Sequence, residues 1–399
     1  MSLNILIIQE VDWVKKITYE MHHLSELFSL KGHNVFAIDI PDPGSISFKK
    51  ISFQKIDNYN RIYENSTVKL FRTPIIPIKG LSRLTAYFSS YNFIKKILKE
   101  NDIDIVLIYS AVTNLEAAIK ATREMNIPLV HRTFDIVHEI ILEKYLKKKV
   151  EKIEKNAYPQ LDFVIANTPF MKEWSEEMGA KNVTVITQGV DPSIMKKLEP
   201  NIQLMNRLGI SVDDIVVMYL GSVLSHSGLE KILDTIPKIL KKFPTFKLLI
   251  VGDGSHLSSL KQQAKELGIS KHVIFTGFVP YKQVPEYCSI SKLCINPFRI
   301  NPMTDKLSPA KIFDFMGCGK PIIATPLRGM LLDFPEESNT IIYSQLENFE
   351  DKIIELLSSP DLENIGNRTR HYVESNYTWN IVAEKMLKIF SNIKNHKTF

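Results

Sequence analysis

Two successive series of short apolar runs constrain what this chain can fold into. Each run is rich in Val and Ile, spans about four to eight residues and is followed by a longer segment with helical periodicity, which is typical of a parallel sheet built from βαβ units. We predict strands at 5–8, 34–38, 105–108, 129–132, 163–166, 183–186, 216–220, 247–251, 273–276, 293–296, 321–324 and 340–343. The sequence therefore predicts an α/β protein.

The length of 399 residues favours two domains, since a typical domain has about 150 residues. The first series ends at Gln188-Gly189-Val190-Asp191-Pro192, and a polar stretch precedes the second series. We predict an N-terminal domain over 1–192, a C-terminal domain over 193–376 and a final helical segment over 377–399. Ligands of open parallel sheets bind beyond the carboxyl ends of the strands, so we expect the functional residues in the loops that follow them.

Cysteine usage and hydropathy indicate the cellular compartment. The three cysteines form no C-x-x-C pair, which argues against a disulfide framework or a cysteine zinc site. The longest apolar runs are about half the roughly 20 residues that cross a bilayer, and the first residues lack the features of a signal peptide. We therefore expect a cytoplasmic protein.

Positive charge is concentrated in one segment. The net charge is +6, yet residues 43–100 contain eleven basic, three acidic and nine aromatic residues. This mixture suits an anionic membrane surface or a phosphorylated lipid, and an ordinary protein surface is an equally good interpretation. A second basic run at 144–155 is interleaved with glutamates, which favours a solvated helix face. Nucleic-acid binding is not expected, because no recognition motif accompanies either run.

Glycine-rich turns provide candidate anion sites. The G-x-G-x-x-G fingerprint of dinucleotide enzymes is missing after the first strand, where Gln9-Glu10-Val11-Asp12-Trp13 stands instead. After the strand that ends at Leu220, the segment from Gly221 to Gly228 precedes a helix, whose N-H groups could bind a phosphate. A tight turn without any ligand would need the same glycines.

A short predicted helix carries a second candidate pair. Lys311 and Asp314 are three residues apart and share a helix face, where a cation could bind phosphate and a carboxylate could bind a ribose diol. An exposed ion pair between the two would have the same spacing.

The ordered motifs of the second half resemble glycosyltransferase family 4. The resemblance rests on G-S-x7-L, L-L-I-V-G-D-G, V-x-F-T-G-x-V-P, S-P-x-K-I-F-D-F-M-x-C-G-K-P-I-I-A-T and the Y-T-W at Tyr377 to Trp379. In the first half, L-x-x-L-K-G-H-x-V and the end-of-domain segment from Val183 to Asp191 are also similar. The resemblance implies the GT-B fold, with two Rossmann-like parallel-sheet domains facing a central cleft, the acceptor in the first and a nucleotide sugar in the second.

Departures from the family pattern affect the expected donor site. The first of two acidic residues is replaced by Lys306, so either Asp305 or the backbone around Ser308 and Pro309 would hold the sugar. Family cations in the loop after the first donor-domain strand correspond to Ser222 and Ser227. Donor-binding residues implied by the resemblance are Gly221, Ser222, Gly252, Phe278, Val279, Asp305, Lys306, Ser308 and Pro309.

The acceptor half departs from the family as well. The family histidine corresponds to Phe134, Asp135 remains beside it, and His138 could replace the imidazole, although a structural histidine is as good an interpretation. We expect Asp135, Lys311 and Asp314 to be catalytic. Acceptor-side candidates are Asp12, Trp13, His22, His23 and His138, and Trp13 could stack on a sugar or simply pack.

The resemblance implies retaining, metal-independent transfer from a nucleotide diphosphate sugar, with no bound cofactor and no metal site. No D-x-D motif is present to hold a divalent ion. The expected acceptor is a polyprenyl-phosphate-linked or other lipid, with the protein at the inner face of the plasma membrane through 43–100, and a soluble acceptor is the alternative. Two alternatives are a catalytically silent GT-B module that only binds a sugar nucleotide and a GT-B sugar-nucleotide epimerase.

Overall fold

The computed structural model describes residues 2–16, 18–45, 53–78, 80–109, 112–141 and 143–396. Part of the basic aromatic segment, residues 46–52 and Lys79, lies outside these ranges. The chain divides into two compact units: unit 1 contains residues 1–187 and 379–399, and unit 2 contains Gln188–Thr378. These divisions lie five residues before and two residues after the positions predicted from the sequence.

Unit 1 is built on a single sheet with helices on its faces. Its strands are β1 (Asn4–Ile8), β2 (Asn34–Asp39), β3 (Gln54–Tyr59), β4 (Val68–Arg72), β5 (Ile105–Ile108), β6 (Leu129–Thr133), β7 (Phe163–Ala166) and β8 (Val183–Val185). The sheet order is β3-β4-β2-β1-β5-β6-β7-β8, and all neighbours are parallel except β3 and β4. The two strands β3 and β4 lie in the basic aromatic segment and were not predicted, because their short runs are interrupted by charged residues.

The helices of unit 1 cover both faces of this sheet. They are α1 (Glu20–Leu30), α2 (Leu81–Glu100), α3 (Leu115–Glu124), α4 (Val137–Ile140), α5 (Lys144–Ala157), α6 (Pro169–Glu177) and, from the chain end, α15 (Trp379–His396). Helix α15 packs on α1, where the rings of Phe28 and Phe390 meet edge to face. Burial of its apolar face, which includes Met386, explains why this distant segment belongs to unit 1.

Unit 2 contains the second parallel sheet. Its strands are β9 (Ile215–Leu220), β10 (Phe246–Val251), β11 (Val273–Gly277), β12 (Leu293–Asn296), β13 (Ile322–Ala324) and β14 (Ile342–Tyr343). The order β11-β10-β9-β12-β13-β14 places β9 in the interior, so its exit loop lies at the middle of the carboxyl edge. Buried Val, Ile and Leu side chains fill both faces, as expected for a sheet covered on both sides.

The helices of unit 2 are α7 (Ile202–Leu208), α8 (Leu229–Lys242), α9 (Leu257–Glu266), α10 (Val284–Ser289), α11 (Ala310–Gly317), α12 (Arg328–Asp333), α13 (Phe349–Leu357) and α14 (Leu362–Asn376). The predicted strands agree with the structure to within two residues at each end. The two-series α/β interpretation is therefore confirmed. Within the described ranges, no helix has both the length and the apolar character needed to cross a bilayer.

Candidate functional site

Glycines bring three chain segments unusually close at the carboxyl edge of the second sheet. Gly252 has φ +146°, and a Cβ there would lie 1.9 Å from the carbonyl oxygen of Gly221. At Gly228, with φ +70°, a Cβ would lie 1.8 Å from the carbonyl oxygen of Pro297. Only glycine fits these approaches, so the exit loops of β9, β10 and β12 pack into one cradle at the start of α8.

Lys311 lies beneath this cradle. Its Nζ is 4.0 Å from the ring centroid of Tyr219 and 4.4 Å from that of Phe298, and a Cβ on Gly221 would be 3.3 Å from it. The nitrogen is buried, and among the described residues nothing hydrogen-bonds to it. Burial lowers the pKa of Lys311 from 10.5 to about 7. A buried amino group that packs against aromatic faces and has no hydrogen-bond partner is suited to bind an anion, whose charge would favour its protonated form.

Other polar atoms in the same region also lack partners. Within the described part of the chain, the buried hydroxyls of Ser227 and Thr325 and the side-chain oxygen of Asn296 make no hydrogen bonds. Ser227 lies in the β9 exit loop, Asn296 ends β12 and Thr325 follows β13. Buried polar groups are normally satisfied, so this concentration at one sheet edge indicates a site for a polar ligand. Sequence reasoning missed Asn296 and Thr325, and their positions at strand ends were the available signal.

Asp314 does not pair with Lys311. Its Oδ1 accepts a 3.0 Å hydrogen bond from the Tyr281 hydroxyl, and burial raises the pKa of Asp314 to about 7. Within the described residues no ion pair joins the two side chains, so the exposed-pair interpretation of their spacing is wrong. Both residues are half-buried as a whole, and helix α11 thus holds the buried Lys311 nitrogen and the Asp314 carboxyl in separate surroundings.

The loop before α11 contains the candidates for sugar binding. The Asp305 carboxylate is held by the backbone N-H and the guanidinium of Arg328, so its oxygens are already engaged. Ser308 is buried beside Asp333, a carboxyl whose pKa burial raises to about 7. Pro309 directly precedes the helix, and Lys306 ends a short 3-10 turn. This arrangement favours the backbone around Ser308 over Asp305 for holding a sugar.

The remaining donor-side candidates lie at the outer part of the same edge. Ser222 is exposed, its carbonyl oxygen accepts a 2.7 Å hydrogen bond from Tyr219, and Phe278 exposes 64% of its surface. Val279 is half-buried beside it. An exposed aromatic side chain after β11 offers a flat surface on which a base could stack.

Arg299 was not singled out from the sequence. It follows Phe298 in the exit loop of β12. Its backbone N-H donates to the His226 carbonyl at 2.9 Å, and its guanidinium pairs with Glu230 in the first turn of α8. The pair places a guanidinium beside the β9 exit loop, with its charge balanced by Glu230. Burial and the nearby Lys311 charge lower the pKa of His226.

In unit 1, Phe134, which stands at the position of the family histidine, packs on a buried ionic network. Arg132 donates to both Glu20 oxygens at 2.7 Å, and its guanidinium carbon lies 4.7 Å from the centroid of the Phe134 ring. That ring stacks on Tyr109, whose hydroxyl donates to Glu20 at 3.0 Å. Asp135 follows with its side chain exposed, and desolvation by neighbouring protein raises the pKa of its carboxyl. Sequence reasoning missed Glu20 and Arg132.

His138 has a well-defined structural partner. Its Nδ1 lies 2.6 Å from a carboxylate oxygen of Glu154, and the Val137 N-H donates to the other oxygen. Burial raises the pKa of Glu154. His138 therefore joins α4 to α5, and its position does not single it out as a replacement for the family imidazole.

Four acceptor-side candidates are integral to the core of unit 1. Trp13 is fully buried, so it offers no ring face to a sugar. Asp12 is also buried, accepts N-H groups from Val14, Lys15 and Asp42, and pairs with Arg72 at 2.8 Å. These contacts give Trp13 and Asp12 structural roles in unit 1, and neither side chain needs a substrate to account for its position.

The neighbouring histidines are buried as well. His22 accepts the Tyr19 N-H at Nδ1, so Nε2 carries the proton that it donates to a backbone carbonyl at 2.9 Å. Burial lowers the pKa of His22 to about 4. His23 stacks on Trp379 with ring centroids 5.1 Å apart. Neither imidazole is available to a substrate.

Within the described ranges, no group of three or more His, Cys, Asp or Glu side chains is arranged to hold a metal ion.

Two family models match consecutive parts of the chain. The model of Glycosyltransferase Family 4 matches residues 21–194, and the model of glycosyl transferases group 1 matches residues 201–372. The chain belongs to glycosyltransferase family 4. The two matched segments follow the two-sheet division, and the predicted resemblance is confirmed.

Individual relatives are distant. Alpha-monoglucosyldiacylglycerol synthase of Streptococcus pneumoniae is 23% identical over 64% of this chain, and the alignment spans 59% of that relative's own length. Sucrose-phosphate synthase of Thermosynechococcus elongatus is 16% identical, with 98% of this chain and 99% of that chain covered and a TM-score of 0.75. HepE of Anabaena in complex with UDP-glucose is 16% identical, with 98% and 100% covered and a TM-score of 0.69. These structural similarities confirm the GT-B fold.

Proposed function

We propose that this glycosyltransferase moves a sugar from a nucleoside diphosphate sugar to a lipid-linked acceptor with retention of anomeric configuration. The observation that carries the donor side is the buried Lys311 ammonium beneath the glycine cradle. Within the described part of the chain it makes no hydrogen bond and packs against the rings of Tyr219 and Phe298, and polar atoms of Ser227, Asn296 and Thr325 at the same sheet edge also lack partners. A diphosphate would supply acceptors for the Lys311 amino group and for the Ser227 and Thr325 hydroxyls, whereas the Asn296 oxygen needs a donor, such as a hydroxyl of the bound sugar nucleotide.

The cradle supports binding of the leaving diphosphate. Backbone N-H groups at the start of α8 and the cation below stabilise the negative charge that develops when the sugar departs. Asp314 is the proposed partner of the ribose diol, and the backbone around Ser308 and Pro309 the proposed partner of the sugar. UDP-glucose in the HepE complex supports a nucleotide sugar as the donor class.

The proposed reaction exchanges two bonds on one face of the sugar. The bond between C1 and the phosphate oxygen breaks, the acceptor oxygen bonds to C1, and the acceptor proton passes to the departing diphosphate. Asp135, exposed after the carboxyl end of β6, is the proposed acidic group on the acceptor side. Lys311 supplies the positive charge, so we propose that no metal or other cofactor takes part.

The acceptor class rests on a relative and on charge. The Streptococcus relative is named for synthesis of a glucosylated diacylglycerol, and this chain carries a basic aromatic segment at 43–100. We propose a polyprenyl-phosphate-linked glycan or another lipid as acceptor, at the inner face of the plasma membrane.

The test is transfer by the purified chain from a panel of nucleotide sugars to lipid acceptors, with product configuration read by NMR. We expect the anomeric configuration of the donor in the product and unchanged activity after dialysis against EDTA. An inverted product would exclude retention, and loss of activity that Mg²⁺ or Mn²⁺ restores would exclude metal independence.

A silent binding module is the second candidate. The specific observation in its favour is that Ser222, Ser227 and Lys306 replace charged residues of the family pattern. This candidate predicts a thermal shift with a nucleotide sugar but neither transfer nor hydrolysis. Release of nucleoside diphosphate under any of the tested conditions would exclude it.

A further inference from the structure

The basic aromatic segment contributes fewer free charges than its composition suggests. Arg72 is buried between Asp12 and Asp39, Lys95 pairs with Glu124 at 2.6 Å, and Lys55 pairs with Asp57 at 2.8 Å. Lys96 lies 3.9 Å from Glu100, and Arg83 lies 3.7 Å from Glu10. Charge alone therefore does not mark the whole segment as a binding surface, and its most exposed apolar side chains lie at the start of α2.

The first two turns of α2 expose large apolar side chains. Phe88 exposes 72% of its surface, Leu84 51% and Leu81 42%, while the opposite helix face packs into unit 1 through Ala86. Side chains of this size are individually common at surfaces, but three on two successive turns form a patch.

Helix α5 continues this patch. Lys149 Nζ lies 5.8 Å from the ring centroid of Tyr87, which places the starts of α2 and α5 side by side. Every residue from 143 to 149 is exposed, Tyr145 by 82% and Leu146 by 46%. This is the run that the sequence favoured as a solvated helix face, and its exposed aromatic and leucine side chains are unlike such a face.

The charge of α5 complements an anionic partner. Residues 143–149 carry four lysines and one glutamate. We use the name α2–α5 surface for the exposed side chains Leu81, Arg83, Leu84, Phe88, Lys144, Tyr145, Leu146, Lys147 and Lys148. Apolar and aromatic side chains surrounded by lysines match the interface of an anionic bilayer, where the rings enter the headgroup region and the ammonium groups meet lipid phosphates.

The α2–α5 surface lies next to the sheet edge that carries Asp135. Arg83 is 3.7 Å from Glu10, which follows β1, and the Glu10 carboxylate accepts the N-H groups of Val112 and Asn114 after β5. The surface therefore adjoins the carboxyl edge of the first sheet. A protein docked there would bring this edge close to lipid headgroups.

We propose that the α2–α5 surface docks unit 1 on an anionic bilayer, with Phe88 and Tyr145 inserted among the headgroups. The inference deepens the proposed lipid acceptor, but its test requires neither donor nor acceptor. Failure of docking and failure of sugar transfer are thus observed separately.

The test is sedimentation of the full chain with vesicles of phosphatidylcholine alone or with about one third phosphatidylglycerol. We expect binding to the anionic vesicles only. Lys144→Gln, Lys147→Gln and Lys148→Gln together should weaken binding roughly 100-fold, since each lysine contributes roughly fivefold near an anionic surface. The matched control replaces the exposed lysines Lys238, Lys241 and Lys242 of α8 by Gln and should bind within about threefold of wild type.

The apolar contribution is tested separately. Phe88→Ser with Tyr145→Ser should weaken vesicle binding about tenfold or more, whereas Ile202→Ser with Val212→Ser, two exposed apolar residues of unit 2, should not. Because all these side chains are exposed, unchanged circular dichroism and Tm are expected. In Phe88→Trp, brominated lipids should quench the new tryptophan fluorescence in anionic vesicles.

Several results would overturn the proposal. These are no binding to anionic vesicles at low salt, equal weakening by the control substitutions, or an unquenched Phe88→Trp variant. Binding to heparin beads without binding to vesicles would identify a soluble polyanion instead of a bilayer and would equally overturn it.

Discussion

Lys311→Met should stabilise the protein while it weakens nucleotide binding. Burial shifts the pKa of Lys311 from 10.5 to about 7, and each unit corresponds to about 1.36 kcal/mol. Removal of this buried charge should therefore add about 3 to 5 kcal/mol to the free energy of unfolding at pH 7. Methionine has a similar length and can lie between the rings of Tyr219 and Phe298.

The stability gain from Lys311→Met should depend on pH. Between pH 7 and 10.5 the unfolded chain holds a proton on Lys311 that the folded chain has released, so wild-type stability rises with pH in this window. The gain from Lys311→Met should be largest at or below pH 7 and should disappear towards pH 10.5. Urea unfolding at several pH values measures it, with the exposed Lys238→Met as the control.

Binding should change in the opposite direction. Loss of the Lys311 amino group should raise the dissociation constant of UDP about 10- to 100-fold in calorimetry, because hydrogen bonds to charged groups contribute about 1.5 to 3 kcal/mol. Uridine, which has no phosphate, should bind both proteins equally. A Lys311→Met variant that is less stable than wild type, or that binds UDP as tightly, would refute the assignment of Lys311 as a buried cation held for a diphosphate.

Further substitutions test the rest of the site and the fold. Asp314→Asn should weaken UDP about tenfold and remove the preference for ribose over dideoxyribose nucleotides, measured by calorimetry; an unchanged preference would argue against the ribose role. Gly228→Ala should lower the stability of unit 2 by about 2 kcal/mol or more, because its Cβ would overlap a carbonyl oxygen, whereas Gly44→Ala meets no atom within 4 Å and should be tolerated in the same thermal melt. Glu20→Gln should cost about 3 to 5 kcal/mol in urea unfolding by leaving the Arg132 charge buried, and Arg132→Met in that background should recover part of it; no recovery would contradict the ion-pair explanation.

The fold was largely predictable because both sheets are buried on both faces. Such strands appear in the sequence as continuous apolar runs, and their bounds followed directly for strands such as Ile105–Ile108 and Leu293–Asn296. The edge strand β3 was missed because one side faces solvent and its residues alternate with charged ones, as the burial of Gln54–Tyr59 shows. A continuous hydrophobic run therefore predicts that a strand is buried on both faces, and strands with one exposed face escape this criterion.

The candidate site was less predictable because local spacing does not reveal what surrounds a side chain. Lys311 and Asp314 have the spacing of a surface ion pair, yet Lys311 packs against Tyr219 and Phe298 whereas Asp314 accepts a hydrogen bond from Tyr281. Trp13 and His22 resembled substrate-side residues because they follow the first strand, yet both point into the core. Position after a strand predicts the correct edge of the sheet but not the direction in which a side chain points.

The loss of the family cations from the β9 exit loop is consistent with the buried position of Lys311. The family cations stand in the β9 exit loop, whereas here the cation approaches the same loop from α11, with its Nζ 3.3 Å from the position of a Cβ on Gly221. That distance leaves little room for a side chain on residue 221. We infer that Lys311 can occupy its place beneath the loop only because residue 221 is glycine. Gly221→Ala should therefore displace Lys311 and weaken UDP binding, even though no charge is removed. Equal UDP affinity in Gly221→Ala and wild type would contradict this dependence.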